Sequence, residues 1–268
     1  MTADAAEAAE VFRSLHRPGE PLLLPNAWDY ASAAALVEAG FAAIGTTSLG
    51  VAAAHGLTDG QGTARAETVA LTHRLSRLPT LLTVDIEGGF SDDPDEVAQL
   101  AYEVAAAGAV GVNLEDGRPD GSLGPLDRQQ ELIRAIRSRV PGLFVNARTD
   151  THWLAGPDGP SVSETITRIQ AYVEAGAQGV FVPGLADDGS IRTVVSNVDA
   201  PLNVLFLPAR HDVRRLADLG VARISYGSLL FRAALHTTVT TALAVAKGEP
   251  VPGDIPSYAE ANSLTIRY

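Results

Sequence analysis

Short runs of apolar residues recur along the chain, and polar residues gather directly after several of them. The run 81–85 reads LLTVD and leads into Ile-Glu-Gly-Gly, which is typical of a buried strand that ends in a turn. The stretches 111–116 (GVNLED) and 143–150 (LFVNARTD) have the same form. The pattern predicts eight strands, which start near Leu22, Ala42, Leu81, Gly111, Leu143, Gly179, Leu202 and Ala222.

Segments with helical character separate the predicted strands. Four helix-to-strand junctions repeat one pattern: EAGFAAIG (38–45), AAGAVGVN (106–113), EAGAQGVF (174–181) and DLGVARIS (218–225). In each, glycine follows the helix, where it accepts the left-handed conformation that ends a helix. Besides an N-terminal surface helix and a helix that ends near residue 39, helices are predicted at 65–77, 94–107, 126–139, 161–175, 187–196, 211–219 and 228–246.

This alternation of strand and helix implies parallel βαβ units along the whole chain. Eight units favour a closed (β/α)8 barrel of the TIM type, and residues 1–268 are expected to form one domain with an N-terminal helix and a C-terminal tail. A doubly wound open sheet is the alternative, but no GxGxxG follows the first strand and no GxxxxGK[ST] loop occurs. The Pro/Gly-rich tail, residues 248–268, is expected to be ordered only against a neighbouring molecule.

Composition narrows the range of partners. The 268 residues carry a net charge of −12, which disfavours nucleic acid and anionic membrane surfaces. No apolar stretch reaches the ~18 residues of a membrane helix, so no membrane association is expected. The chain has no cysteine, which excludes disulfides and thiolate metal sites, and its acidic N-terminus does not resemble a signal peptide, so a cytoplasmic location is expected. Lys247 is the single lysine, which argues against Schiff-base chemistry.

Acidic residues follow two neighbouring predicted strands, and the carboxyl ends of barrel strands form the catalytic face. Asp85 and Glu87 are two positions apart on one strand and therefore point the same way. Glu115 ends the next strand, and Asp116 beside it is interpreted as a helix cap or salt-bridge partner. Carboxylates with waters suit Mg²⁺, with Mn²⁺ as an alternative, whereas scattered histidines argue against zinc.

An arginine stands among these acids. Arg148 lies near the end of the fifth predicted strand, between Asn146 and Asp150. Its planar guanidinium can donate two parallel hydrogen bonds to the oxygens of a substrate carboxylate or phosphonate. A metal ion, an arginine and backbone amides together can stabilise an enolate. The structural alternative is that Arg148 forms an ion pair with Asp85 or Glu115.

With these residues in place, the chain resembles the isocitrate lyase/phosphoenolpyruvate mutase superfamily. The resemblance rests on four stretches in register from strand two to strand five: GTTSLGVAAAHGLTDG (45–60), TVDIEGGF (83–90), GVNLEDG (111–117) and NARTD (146–150). It implies an α/β barrel that binds Mg²⁺ and a 2-oxo acid or its enolate. It also implies a homo-oligomer, a dimer or a tetramer, in which the last barrel helix, about 228–246, swaps between neighbours.

The resemblance also implies roles for particular residues. Backbone amides around Thr47, Ser48 and Leu49 would hold the substrate's carboxylate and carbonyl oxygen. Asp85 would touch the metal, and Glu87 and Glu115 would hold it through water. The predicted site therefore comprises metal ligands Asp85, Glu87 and Glu115; catalytic residues Asp59, Thr47 and Arg148; and substrate-binding residues Thr47, Ser48, Leu49, Asn146 and Arg148.

The stretch 117–130 (GRPDGSLGPLDRQQ) departs from the superfamily pattern. It has neither the Cys and Lys of the lyase branch nor the Asn of the mutase branch, and FVPG (181–184) lacks the charged residue expected after strand six. We therefore expect a Mg²⁺-dependent carbon–carbon lyase acting on a small 2-oxo or 2-hydroxy acid through an enolpyruvate-like intermediate. A phosphoenolpyruvate/phosphonopyruvate mutase or hydrolase, and a barrel that binds a 2-oxo acid without turnover, are the alternatives. Tyr226, His55 and His236 are candidate proton donors.

Overall fold

The computed structural model describes residues 3–156, 159, 161–251 and 253–267. Their strands form one parallel sheet in the order β1-β9-β8-β7-β6-β5-β4-β3-β2. The strands are β1 (Leu22–Leu24), β2 (Asn26–Ala27), β3 (Ala43–Thr46), β4 (Leu81–Asp85), β5 (Gly111–Glu115), β6 (Phe144–Arg148), β7 (Gly179–Val182), β8 (Leu202–Leu205) and β9 (Arg223–Ser225).

The sheet closes into a barrel because two short consecutive strands, β1 and β2, together occupy one strand position in it. Only Pro25 separates β1 from β2 in the chain, yet β1 pairs with β9 and β2 pairs with β3. If β1 and β2 are counted as one strand, the sheet has eight strands among the described residues. The predicted (β/α)8 barrel is confirmed, and the open doubly wound sheet is excluded.

Helices surround the barrel close to their predicted positions. They are α1 (Ala3–Ser14), α2 (Tyr30–Glu38), α3 (Ser48–Ala54), α4 (Arg65–Leu75), α5 (Pro94–Ala106), α6 (Leu126–Arg139), α7 (Val162–Glu174), α8 (Asp188–Asn197), α9 (Val213–Asp218), α10 (Leu229–Lys247) and α11 (Tyr258–Ser263). Asp93 caps α5 through the Asp95 N–H, with Pro94 at the first position, as the sequence pattern indicates.

Two of these helices were not predicted. The stretch after β3 is expected to be a loop, but residues 48–54 form α3, and Gly50 lies inside it, where an added Cβ would be 2.7 Å from the Trp28 Cβ. The close packing of α3 on Trp28 therefore explains why position 50 is a glycine. In the tail, Leu264 packs against the main core and the Arg267 guanidinium lies 2.7 Å from Glu38. The expectation that the tail is ordered only against a neighbour is therefore wrong.

Strand alternation gives the barrel an apolar outside and a polar inside. Val84, Val112 and Val145 belong to the main hydrophobic cluster between the sheet and the helices. The alternating positions carry buried polar residues, among them Asn113 and Asn146, whose side chains are hydrogen-bonded at 2.9 Å. A barrel interior is more often filled by branched apolar side chains, so polar groups are unusually concentrated on the axis that leads to the carboxyl face.

Helix α10 leaves most of its surface exposed. Phe231 is its one buried residue and packs edge-on against Trp28, with ring centroids 5.3 Å apart. By length and composition α10 is also the one helix, within the part of the chain that the structure describes, that could cross a membrane. The expectation that no stretch is long and apolar enough is therefore wrong for α10.

Candidate active site

Three charged side chains lie at the carboxyl ends of three adjacent strands. Asp85 is the last residue of β4, Glu115 of β5 and Arg148 of β6. Glu115 and Arg148 are direct partners in the strand register, and Asp85 is the partner of Asn113, two residues before Glu115. The barrel thus gathers the predicted acids and the predicted arginine at its catalytic face.

Arg148 is held by two carboxylates. Its Nη1 lies 2.6 Å from Glu115 Oε2, and its Nε and Nη2 donate to the two oxygens of Asp150 at 2.6 and 3.1 Å. The guanidinium also lies over the Phe181 ring, 5.7 Å from its centroid. Since a guanidinium has five N–H donors, these contacts leave two N–H groups for a further anion. The proposed structural pairing of Arg148 with Glu115 and a role in binding substrate are therefore compatible.

The backbone fixes Asp85 and Glu87 side by side. The Asp85 N–H donates to the Thr46 hydroxyl at 2.9 Å, and the Glu87 N–H donates to Asp85 Oδ1 at 3.2 Å. Glu87 has a φ of 49°, a left-handed conformation that is uncommon for a residue other than glycine. Its carboxylate accepts a hydrogen bond from the Gly62 N–H at 3.3 Å. Such strain is often found where function requires it.

Burial raises the pKa of all three acids, and nearby carboxylates add to the effect. Burial raises the pKa of Asp85, although the charge of Arg148 lowers it. Burial and the charge of Asp85 raise the pKa of Glu87 to about 7. Burial raises the pKa of Glu115 well above its usual range, against the lowering effect of Arg148. Arg148 therefore offsets only part of the negative charge, and a further cation would stabilise the ionised forms.

We tested whether these residues fit a divalent cation. Among the described side chains, no three Asp, Glu or His residues converge tightly enough to form a ready-made metal cage. Mg²⁺ does not require one, since it commonly keeps several waters and uses one or two carboxylates. Asp59, whose charge acts on both Asp85 and Glu87, has a buried Oδ1 without a hydrogen-bond partner. An excess of oxygen donors fits Mg²⁺, and the roles of the three predicted ligands stay predictions.

The predicted oxyanion-binding segment lies at the start of α3. The Thr47 N–H is already used, because it donates to the Ala27 carbonyl at 3.1 Å. Ser48 and Leu49 occupy the first two positions of α3, where backbone N–H groups have no partner within the helix. The Ser48 N–H also contributes to lowering the pKa of Asp85. The Ser48 N–H therefore faces the Asp85 carboxylate, and the Leu49 amide is better placed than those of Thr47 and Ser48 to hold an oxyanion.

A buried network beneath the acids includes an arginine that the sequence reasoning missed. Arg223 is fully buried on β9, and its Nη2 donates across the barrel to Asn113 Oδ1 at 3.1 Å. The same Asn113 oxygen accepts from Asn146, so the predicted substrate-binding Asn146 is tied to this network. Arg223 Nε and Nη1 have no hydrogen-bond partner among the described residues. Burial lowers the pKa of Arg223 to about 9.

Asp116 has a different environment from its neighbour Glu115. Its carboxylate accepts from the Thr149 hydroxyl, the Asp150 N–H and the Tyr172 hydroxyl at 2.8, 2.8 and 2.6 Å. Arg168 adds an ion pair at 3.2 Å, and the Asp116 side chain is 0% exposed. The interpretation of Asp116 as a salt-bridge residue agrees with these contacts, which tie β5 to β6 and α7.

The three candidate proton donors lie in different surroundings. His55 and His236 are both exposed, and His55 Nδ1 is within 2.9 Å of the Val51 carbonyl. Tyr226 is half-buried between the rings of Phe41 and Phe206, and burial alone raises its pKa. None of the three joins the hydrogen-bond network of the acids in the part of the chain described. A role as proton donor stays a prediction for each of them.

The fold and the site define a class: an α/β barrel with acids and an arginine at the carboxyl ends of strands four to six. The sequence profile of the phosphoenolpyruvate phosphomutase family matches residues 12–246, so the chain belongs to this family, within the isocitrate lyase/phosphoenolpyruvate mutase superfamily. This confirms the resemblance inferred from the four stretches. Because superfamily members are lyases, mutases and hydrolases, the membership supports an enzyme.

Individual relatives point in the same direction. An uncharacterized protein of Mycobacterium tuberculosis H37Rv is 40% identical over 257 residues, which are 96% of each chain. The 2-methylisocitrate lyase of Bacillus subtilis strain 168 is 33% identical over 205 residues, covering 73% of this chain and 66% of that one. A phosphonopyruvate hydrolase solved with oxalate and Mg²⁺ has a TM-score of 0.83 at 21% identity, covering 96% of this chain and 94% of that one. At that identity, the likeness is one of fold.

Proposed function

We propose that this protein is a Mg²⁺-dependent carbon–carbon lyase that acts on a small 2-oxo or 2-hydroxy acid. The observation that carries the proposal is the cluster of Asp85, Glu87 and Glu115, whose buried acidic groups share the single Arg148 at the catalytic face. A divalent cation would offset this charge, and a 2-oxo acid chelates such a cation through its carboxylate and carbonyl oxygens. The location of the cluster, at the carboxyl ends of barrel strands, is where barrel enzymes bind substrate.

Asp85 is the residue that would hold the metal directly, with Glu87 and Glu115 holding it through water. The metal, when bound, would act as a Lewis acid on the substrate's 2-oxo or 2-hydroxy oxygen. Asp59 lies close enough for its charge to act on both Asp85 and Glu87. It would orient water around the site through its unpartnered Oδ1.

The chain's own groups would bind and polarise the substrate. The two remaining N–H groups of Arg148 would bind the acid group, and the Leu49 amide would donate to the oxygen on which charge develops, while the Ser48 N–H holds the Asp85 carboxylate. For a 2-oxo acid, the electron pair of the breaking carbon–carbon bond moves toward that oxygen and generates an enolate, which a proton later quenches at carbon. Donors fixed in advance by the fold stabilise such charge without having to reorganise.

Two other functions have specific support. The family whose profile matches is the phosphoenolpyruvate phosphomutase family, which favours phosphonopyruvate chemistry. The short segment 117–130, which lacks Cys, Lys and Asn, favours a barrel that binds a 2-oxo acid without turning it over. The three possibilities predict different products from the same panel of acids.

The test is to add oxaloacetate, phosphonopyruvate and 2-methylisocitrate separately to the protein with Mg²⁺ and to follow the release of pyruvate and, from phosphonopyruvate, the formation of phosphoenolpyruvate. We expect pyruvate from a carbon–carbon substrate and loss of at least ~10²-fold in kcat/KM in Asp85→Asn, since a direct metal ligand is removed. Glu131→Gln is the matched control, because Glu131 is an exposed carboxylate whose recorded partner is Arg128. Turnover of phosphonopyruvate alone would favour the mutase or hydrolase, and tight oxalate binding without any product would favour the binding barrel.

We also propose a homo-oligomer that covers α10. Its exposed apolar side chains include Leu235, Val239 and Leu243, at 51, 58 and 51% exposure. They recur every four residues and form one stripe, which would pack against a second copy of the chain, as in the predicted helix exchange. Size-exclusion chromatography with light scattering should give a dimer or tetramer that Val239→Glu converts to a monomer. A monomeric wild type would contradict this.

A further inference from the structure

We propose that Arg118 selects substrates that carry a second carboxylate, at the end of the molecule remote from the metal. This rests on the proposed function, because it takes the metal-binding end of the substrate as given. It adds a residue from the segment 117–130, which the sequence analysis left without a role. Arg118 lines a cavity beside the acidic cluster.

The cavity has a volume of about 270 Å³ and lies between the loops after β4 and β5. Glu87 and Glu115 of the acidic cluster line one side of it, and Arg118 and Arg128 line another. The cavity therefore holds acidic groups where the metal is proposed to bind, and its two arginines lie elsewhere, Arg118 beside the lining residue Asp92. It is slightly smaller than the ~300 Å³ at which pockets for drug-sized ligands begin, so it suits a small acid.

The loop that carries Arg118 is well ordered. Gly117 and Leu123 form an antiparallel bridge, and the Arg118 N–H donates to the Ser122 carbonyl at 3.0 Å. Gly121 closes the turn by donating to the Arg118 carbonyl at 2.9 Å. A binding side chain on such a turn loses little entropy when it engages a ligand.

Glycines next to Arg118 fix where its side chain can lie. A Cβ on Gly124 would be 3.1 Å from Arg118 Nε, so the guanidinium passes directly over this glycine. A Cβ on Gly117 would lie 2.2 Å from Asp150 Oδ2, the carboxylate that holds Arg148. The Arg118 loop is therefore packed against the Asp150 carboxylate of the Arg148 site, and Arg118 shares one cavity with Glu87 and Glu115.

The ion pairs that Arg118 and Arg128 form within the chain compete only weakly with a bound carboxylate. Arg118 Nη2 lies 3.2 Å from Asp92, whose side chain is 76% exposed. Arg128 pairs with Glu131, which is 55% exposed and only one helical turn away. Exposed ion pairs of this kind contribute little, so a substrate carboxylate that enters the cavity can displace Asp92 from Arg118.

The chemical class that fits is a 2-oxo or 2-hydroxy dicarboxylate. One end would chelate the metal held beside Glu87 and Glu115, and the other end would accept charge-assisted hydrogen bonds from Arg118. A monocarboxylic analogue of equal length would place a methyl group beside an arginine that stays paired with Asp92. Any difference in affinity between a dicarboxylate and its monocarboxylic analogue is therefore expected to come only from the end of the ligand that lies beside Arg118.

The experiment compares matched pairs of acids by calorimetric titration in the presence of Mg²⁺. The pairs are oxaloacetate with 2-oxobutanoate and 2-oxoglutarate with 2-oxopentanoate, and oxalate serves as a mimic of the reactive end. We expect the wild type to bind the dicarboxylate of at least one pair about 10-fold or more tighter, the size of one charge-assisted hydrogen bond. Arg118→Gln should abolish this preference and leave the affinity for oxalate unchanged, whereas Arg118→Lys should keep part of it.

Two further variants control the result. Arg134→Gln changes an exposed arginine elsewhere on α6 and should behave as wild type. Asp92→Asn removes the competing carboxylate and should tighten dicarboxylate binding while leaving oxalate unaffected. An unchanged preference in Arg118→Gln, or an equal loss of oxalate and dicarboxylate affinity, overturns the inference. If the wild type binds oxalate but shows no preference, this inference alone fails; if it binds neither oxalate nor any 2-oxo acid, the proposed function fails as well.

Discussion

Glu115 and Asp116 are neighbours in the chain, but their carboxylates are in opposite situations. Asp116 is surrounded by donors from Thr149, the Asp150 backbone, Tyr172 and Arg168. Glu115 has one cationic partner, Arg148, and faces the charges of other acids, so that its pKa is raised. A buried acid whose oxygens are fully used holds the fold together, whereas one left among like charges is available for a cation.

The largest effect on stability should follow from removing the satisfied acid. Asp116→Ala should lower the free energy of unfolding by about 3–5 kcal/mol, because it leaves the Thr149 and Tyr172 hydroxyls and the Asp150 N–H without their acceptor. Arg168 keeps its contacts with Glu164 and the Gly124 carbonyl. Urea denaturation checks this. The control is Asp187→Ala, which removes an exposed cap of α8 and should cost only ~1 kcal/mol. Equal losses in both variants would remove the distinction between Asp116 and an ordinary surface acid.

Replacement by methionine should change the free energy of unfolding differently at Arg168 and at Arg223. Arg168→Met breaks the pair with Asp116 and should destabilise the protein by about 3 kcal/mol. Arg223→Met removes a guanidinium that has two unpartnered nitrogens and no carboxylate within ion-pair distance among the described residues. We expect it to be neutral or stabilising by about 1–2 kcal/mol, since a buried charge is replaced by a side chain of similar length. A loss from Arg223→Met as large as that from Arg168→Met would contradict this.

A smaller change in stability is expected at the acid left among like charges. Glu115→Gln should alter the unfolding free energy of the metal-free protein by less than about 1 kcal/mol, because relief of repulsion offsets the weakened contact with Arg148. Activity toward the substrate found in the pyruvate assay should nevertheless fall by ~10²-fold or more. A variant that is strongly destabilised but fully active would place Glu115 with Asp116 among the structural acids.

The smallest change in stability at neutral pH is expected when His16, at the opposite end of the barrel, is replaced. His16 stacks on Phe144 at 4.5 Å, and burial, with the charge of Arg223, lowers its pKa to about 3. The unfolded chain binds a proton near pH 6.5 and the folded protein does not, so acid favours unfolding between pH 6.5 and about 3. His16→Gln should flatten the loss of stability over this range and change little above pH 7. Chemical denaturation at several pH values measures the slope, and an unchanged slope would contradict the account.

The fold could be predicted because every unit repeats the same local signals. A glycine after the helix and a short β-branched strand are properties of adjacent residues, and they recur around the barrel. Helix α3 was not predicted, and the packing of its Gly50 on Trp28 is a tertiary contact that a local pattern cannot reveal. Asp85 and Glu87 could be found because four stretches match a known superfamily. The expectation that strand alternation makes the two side chains point the same way is wrong, because β4 ends at Asp85 and Glu87 has a left-handed backbone conformation.

Other features of the site depend on contacts between distant residues. Asp116 meets Arg168 and Tyr172, which are 52 and 56 positions away, so its structural role follows only from the packing of α7. Arg223 lies in a strand of three residues and spans the barrel to Asn113, 110 positions away. Nothing in the local sequence distinguishes it from an exposed arginine. The assignment of particular acids as metal ligands stays a prediction for a related reason, since side-chain convergence depends on the bound ion.

The most direct test of the central claim is a calorimetric titration of Mg²⁺ into the protein at pH 7.5, with and without oxalate. The account predicts one Mg²⁺ per chain, tighter binding when oxalate is present, and loss of both effects in Asp85→Asn but not in Glu131→Gln. Absence of Mg²⁺ binding to the wild type under both conditions, or equal binding by Asp85→Asn, would contradict it.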